Sequence, residues 1–273
     1  PIISYFVRKI GTILLLSVLT NLCIADLPSA NNAITLSLGG ASATCLNAFA
    51  IENNVAALAF SKAEFSLNAA NRFGISDYSN LMAVYHHSIE NTSIGFSYQV
   101  SPLASLTQQK AQVAVARKLN KDISAGVALN YHRFSSTDVY YQKRSTLTFN
   151  AGLYFQVNEK LTIGTQIFNP NRSELTRIPK ERMGSVLKLG TNYKLGHNIE
   201  LYADALQATD RKLAIHAGVE LSKEHYTFRG GFGLNQLVAL GFGWKSSNLK
   251  IDIAASYHNQ LGFSPSVNVG HAF

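Results

Sequence analysis

Leu147-Thr148-Phe149-Asn150-Ala151-Gly152-Leu153-Tyr154-Phe155-Gln156-Val157 alternates between two kinds of position. Leu147, Phe149, Ala151, Leu153, Phe155 and Val157 are apolar, and the residues between them are mostly polar or small. Successive side chains of a strand point to opposite faces. A period of two over this length therefore predicts a strand with one apolar face. The pattern recurs in Ile123–His132, Lys212–Leu221, Tyr226–Asn235, Val238–Lys245 and Leu249–His258. Short polar links separate many of these runs: Asn120-Lys121, Asn158-Glu159-Lys160, Gly196-His197-Asn198, Ser222–His225 and Ser246-Ser247-Asn248. Longer links near 136–145, 170–184 and 259–264 fall at the other end. Short turns on one side and longer loops on the other are the signature of an antiparallel transmembrane barrel.

The off-face residues separate a membrane barrel from a soluble sandwich. Here they are mostly Gly, Ala, Ser, Asn and Thr with scattered charges, which suits a narrow, tightly curved interior. Tyr131, Tyr193, Trp244 and Tyr257 end apolar faces, as interfacial aromatics do. Mean hydropathy is only +0.04 although 47% of residues are hydrophobic, and after residue 20 no run approaches the ~20 apolar residues of a spanning helix. If this chain crosses a membrane, it does so as strands. The expectation is an all-β, antiparallel transmembrane β-barrel of about 14 strands over residues 62–273. Twelve is the alternative count, because 62–73 and 80–89 alternate less cleanly.

Two segments precede the barrel. Arg8 and Lys9 followed by Ile10–Leu19, with small residues at Cys23 and Ala25, read as a signal peptide over residues 1–25. Cleavage there would remove Cys23 and leave Cys45 without a partner, so no internal disulfide would hold the mature chain. Loss of Arg8 and Lys9 would bring the formal net charge from +8 to about +6. Residues 26–61, rich in Ala, Asn, Leu and Gly and almost uncharged, read as a hatch or plug inside the lumen. The expected location is a bacterial outer membrane, in contact with its lipid and lipopolysaccharide.

Basic residues are spread along strands and turns, with no basic run interleaved with aromatics, so no nucleic-acid site is expected. The late strands hold Lys188, Asp204, Glu220, Arg229, Lys250 and Asp252 on their polar faces. These are the candidate lumen charges. They would either line a permeation path or pair across strands and stiffen a plugged interior, and the balance favours pairing. His86 and His87 are adjacent and point to opposite faces if they lie on a strand, so they cannot readily share a metal. Ser256 and His258 share a face but have no evident third partner, and no catalytic site or cofactor is expected. The chain ends on Phe273 in an alternating run, the pattern by which barrel-assembly machinery recognises its substrates.

Several stretches carry a family resemblance: Lys160–Gly164 leading into Ile167–Arg172, Leu187–Tyr193, Ile253–Pro265, and Val267–Phe273. With Leu38-Gly39-Gly40-Ala41 and Asn54-Val55-Ala56-Ala57-Leu58, they resemble the PorV/PorQ-like barrels of Bacteroidota outer membranes, which are similar to FadL-type fatty-acid channels. Val55 stands where that pattern usually has Pro, and Ala57 where it has Gly. The resemblance implies a non-enzymatic barrel serving type IX secretion, with secretion-system proteins or cargo as partners. The alternative is a FadL-like channel for hydrophobic or small solutes, gated by residues 26–61.

Overall fold

The computed structural model describes residues 32–273 apart from Ser76, Ala104, 137–142, 177–180, Asp210 and 235–236. The expected signal peptide and residues 26–31 lie outside the described residues. Fourteen strands close into one antiparallel barrel. In chain order they are β1 (Glu64–Asn71), β2 (Ser79–Ile89), β3 (Thr92–Leu103), β4 (Leu106–Lys118), β5 (Ile123–Ser136), β6 (Arg144–Gln156) and β7 (Leu161–Phe168). A two-stranded hairpin, β8 (Glu174–Thr176) and β9 (Glu181–Arg182), stands apart from the wall. The wall resumes with β10 (Val186–Lys194), β11 (Ile199–Ala208), β12 (Ala214–Lys223), β13 (Tyr226–Gly233), β14 (Leu237–Lys245), β15 (Leu249–His258) and β16 (Gly262–Ala272). Pairing of β1 with β16 closes the barrel and removes both sheet edges.

The apolar faces point outward. Leu129, Leu147, Phe228, Leu240 and Val238 are all more than half exposed. On the inner face Ser97, Gln112, Asn130 and Thr148, which pair in a row across four strands, are buried. A closed barrel with a continuous apolar exterior satisfies every ladder hydrogen bond internally, which is what hydrocarbon surroundings demand. No helix among the described residues is long and apolar enough to cross a membrane.

The count of fourteen includes β1 and β2. In β2 the alternation is blurred by Met82 and Val84, which point inward yet are apolar because they pack against the apolar inner segment. Tight turns follow β2, β4, β6, β10, β12 and β14, and define a turn end that also holds both ends of the barrel sequence. Asn120 Oδ1 accepts from the Asp122 and Ile123 amides, and Asn158 Oδ1 from the Lys160 and Leu161 amides, so each link starts with a side chain that mimics a backbone turn. The opposite, loop end carries the connection from β7 to β10. The 259–264 link, expected to be long, is a turn of only Asn259–Leu261.

Residues 32–61 lie inside the barrel, where they form α1 (Ala33–Ser37), α2 (Ala50–Asn53) and a 3-10 helix (Val55–Phe60). Asn32 caps α1 by accepting from the Thr35 amide, and Asn54 caps the 3-10 helix by accepting from the Ala56 amide. Gly39 and Gly40 take left-handed backbone angles at the turn that follows α1.

The candidate functional site: a plugged lumen

The hatch fits because the wall gives way to it. Gly95, Gly126, Gly152, Gly164, Gly190, Gly218, Gly231 and Gly241 present bare backbone to the lumen on eight strands. A Cβ on Gly126 would lie 2.8 Å from the Ala56 nitrogen, and one on Gly218 would lie 2.8 Å from the Leu38 carbonyl oxygen. At Gly152 and Gly164 the intruding side chain is Asn54. These glycines therefore do more than ease curvature: they form a belt that admits the hatch backbone.

The arc from β3 to β7 holds the second half of the hatch. Phe49, Ile51, Val55 and Leu58 pack with Ala114, Ala116, Ala128 and Tyr154 in one apolar cluster. Wall side chains also bond the hatch backbone. Gln112 Nε2 donates to the Ile51 carbonyl at 2.7 Å, and the Ser124 hydroxyl to the Ala56 carbonyl at 2.7 Å. Gln166 accepts from the Val55 amide at 2.8 Å and donates to the Glu52 carbonyl at 3.0 Å. Asn54 Nδ2 donates both to Ala43 of the hatch and to the Leu153 carbonyl of the wall. The Glu52 carboxylate, inside this apolar arc, pairs with Lys110 and accepts from the Ser97 hydroxyl, with both charged side chains about 5% exposed.

The arc from β10 to β16 holds the first half with polar and charged groups. Asp204 Oδ2 accepts from the Ser42 and Ala43 amides at 2.7 and 2.9 Å. Lys188 Nζ donates to the Ser42 hydroxyl at 2.9 Å. His216 Nδ1 donates to the Gly39 carbonyl at 2.6 Å, and Asn268 Oδ1 accepts from the Ala33 amide at 3.0 Å. Cys45 is a buried free thiol in this part of the hatch, and burial pushes it well above the usual thiol range.

All six candidate lumen charges lie on the inner face, in two sets. Lys188 and Asp204 bind the hatch. Arg229 bridges Glu220 and Asp252 at 2.6 Å each, and Lys250 pairs with Glu64. This second set borders a cavity of about 360 Å³ on the turn side of the hatch, with Tyr154, Tyr202 and Trp244 also in its lining. Sequence reading missed Glu52, Glu64 and Lys110. Lys110 was legible in principle, as a cation between Gln108 and Gln112 on the inward face of β4. Its partner lies in a segment with no strand periodicity, and only the folded chain brings them together.

Other sequence candidates resolve simply. His86 points inward and is fully buried, while His87 lies on the other face. No cluster of three metal-ligating side chains occurs among the described residues. His258 Nδ1 accepts from the Gln260 amide, and Ser256 is buried on the lumen face. Phe273 lies at the turn end, 69% exposed, edge-on to Tyr85, with its amide donating to the Ala63 carbonyl.

Solved structures with the same architecture are numerous. The monoaromatic hydrocarbon channel TodX, as its deltaS2 mutant, superposes with a TM-score of 0.74 over 90% of this chain and 99% of its own, at 10% identity. The monoaromatic hydrocarbon channel CymD gives 0.71 over 89% and 97%, at 12% identity. A Pseudomonas aeruginosa FadL homologue gives 0.65 over 89% and 98%, at 12% identity. The fold is that of the FadL-type channels. No family model and no curated protein matches the sequence. These neighbours are transport channels rather than enzymes or secretion components, and the expected type IX secretion role has no counterpart among them.

Proposed function

We propose that this chain is a bacterial outer-membrane channel for small, largely hydrophobic solutes, closed by its own N-terminal segment. This is the alternative reading of the sequence, and it replaces the secretion accessory as the leading one. The observation that carries it is the hatch itself. A segment of the same chain spans the lumen of a 14-strand barrel, held by side-chain contacts that a conformational change can release, above a cavity of about 360 Å³. The cavity sets Tyr154 and Tyr202 beside the ion-paired Glu220, Arg229 and Asp252, a space of a size for a small solute. The fold shared with hydrocarbon channels supports the same reading.

In this reading residues 1–25 direct export and are removed, residues 26–61 form the hatch, and the turn end faces the periplasm. Phe273, exposed at that end, would be presented to the assembly machinery, and the outer face would meet phospholipid and lipopolysaccharide. The test is uptake of radiolabelled toluene by cells stripped of their own hydrocarbon channels. Expression of this protein should accelerate uptake in proportion to its amount in the outer membrane. Unchanged uptake at full outer-membrane abundance would refute the transport role.

A further inference from the structure

The lipid-facing wall carries a shallow concavity, of about 660 Å³, that runs across β4, β5, β6, β7 and β10. Its floor is made by Ala125, Ala151 and Thr165, small outward residues on successive strands, and large apolar side chains such as Val115 and Leu187 border it. The Thr165 hydroxyl donates to the Lys188 carbonyl at 3.0 Å, so its donor hydrogen is already used within the wall. Arg117 borders the same concavity, exposed on the outer face, and has no anionic partner among the described residues.

The two ends lie at different depths. Arg117 is the next-to-last residue of β4, beside the turn end, whereas Leu187 is the second residue of β10, beside the loop end. The groove therefore climbs obliquely across the wall from a cation near the turn end toward the loop end. Five strands spaced at about 4.8 Å make it roughly 19 Å long, close to an extended membrane acyl chain. An isolated arginine on a lipid-facing surface is costly unless it reaches an anion at the interface. With the turn end facing the periplasm, that anion is a lipid phosphate of the periplasmic leaflet.

We infer that this groove is a specific phospholipid site, with the phosphate bound by Arg117 and one acyl chain laid over Ala125, Ala151 and Thr165. The inference rests on the outer-membrane placement, but not on transport.

The test uses full-length protein isolated from outer-membrane fractions, so membrane placement is established before labelling begins. It is reconstituted with phosphatidylethanolamine carrying a photoactivatable diazirine on its acyl chain, and the adducts are mapped by mass spectrometry. Label should concentrate on peptides covering 113–127 and 147–153. Ala151→Phe, which fills the floor, and Arg117→Gln, which removes the cation, should each lower that labelling about tenfold, equivalent to about 1.4 kcal/mol. Labelling of β12–β14 should stay the same. Both substitutions face lipid and leave the interior untouched, and unchanged migration of the folded barrel on unheated gels verifies this. Even labelling around the barrel, insensitive to both variants, would mean annular lipid only and overturn the site.

Discussion

The two arcs of the wall close against the hatch by opposite means. From β3 to β7 the contact is dry: apolar side chains, backbone carbonyls and amides matched by Gln112, Ser124 and Gln166, and one buried Glu52–Lys110 pair. From β10 to β16 the contact is more polar, built on Asp204, Lys188, His216 and Asn268 beside a smaller apolar cluster of Leu38, Ala41, Cys45 and Tyr202, and a cavity lies on its turn side. Dry packing is lost only when the surfaces separate, because close-packed interfaces tolerate little deformation. Individual amide–carboxylate bonds can be replaced one at a time by bonds to water. We expect the first half of the hatch, residues 32–45, to release before residues 48–60.

The largest effect should come from the Glu52–Lys110 pair. Lys110→Ala leaves Glu52 buried without a counter-charge, a loss of about 3–5 kcal/mol. Amide exchange of residues 48–60 should speed up by a factor of about 10² or more, while residues 33–45 change less. Equal acceleration of both halves would erase the distinction between the arcs.

Gln166→Leu should come next. It strands the Val55 amide and the Glu52 carbonyl, and buried groups left without partners cost about 1–3 kcal/mol each. Val55→Pro removes the same amide donor and should largely reproduce the loss of that bond. Val55 thus has a physical use in this chain, since a proline there would have no N–H for Gln166 to accept from.

A smaller, more local effect is expected at the first half of the hatch. Asp204→Asn keeps an oxygen facing the Ser42 and Ala43 amides but loses the charge, worth about 1 kcal/mol for hydrogen bonds of this class. Cys45 reports on it. Buried and held as a thiol, it should react slowly with a polar maleimide in the native chain, in a Cys23→Ser background, and several-fold faster in Asp204→Asn. Reaction as slow as in the native protein would mean that Asp204 does not hold this half. The smallest effect is expected for Lys194→Gln, at an exposed position on the turn end, which should leave both hatch exchange and Cys45 reactivity unchanged.

Sequence reading recovers the wall far better than the plug. Strands such as 123–131, 147–157 and 249–257 declare themselves because lipid selects large apolar residues on every second position. That selection ends where a wall residue meets the hatch: Met82 and Val84 blur β2, and the glycines look like strand-weakening residues until Leu38, Ala43 and Asn54 are seen behind them. The six candidate charges were legible as inward positions. Their division into hatch ligands and an internally neutralised network was not, since register across fourteen strands and the path of residues 32–61 decide who meets whom. Glu52 and Lys110 stand 58 residues apart, and no local pattern links them.

Whether the hatch closes the pore decides between a gated channel and a filled barrel. Conductance in planar bilayers, compared between the native chain and a variant lacking residues 33–59, tests it most directly. The native protein should be nearly silent, and the variant should show discrete, long-lived openings. A well-folded variant as silent as the native chain would contradict the plugged channel, because the wall alone would then fill the lumen.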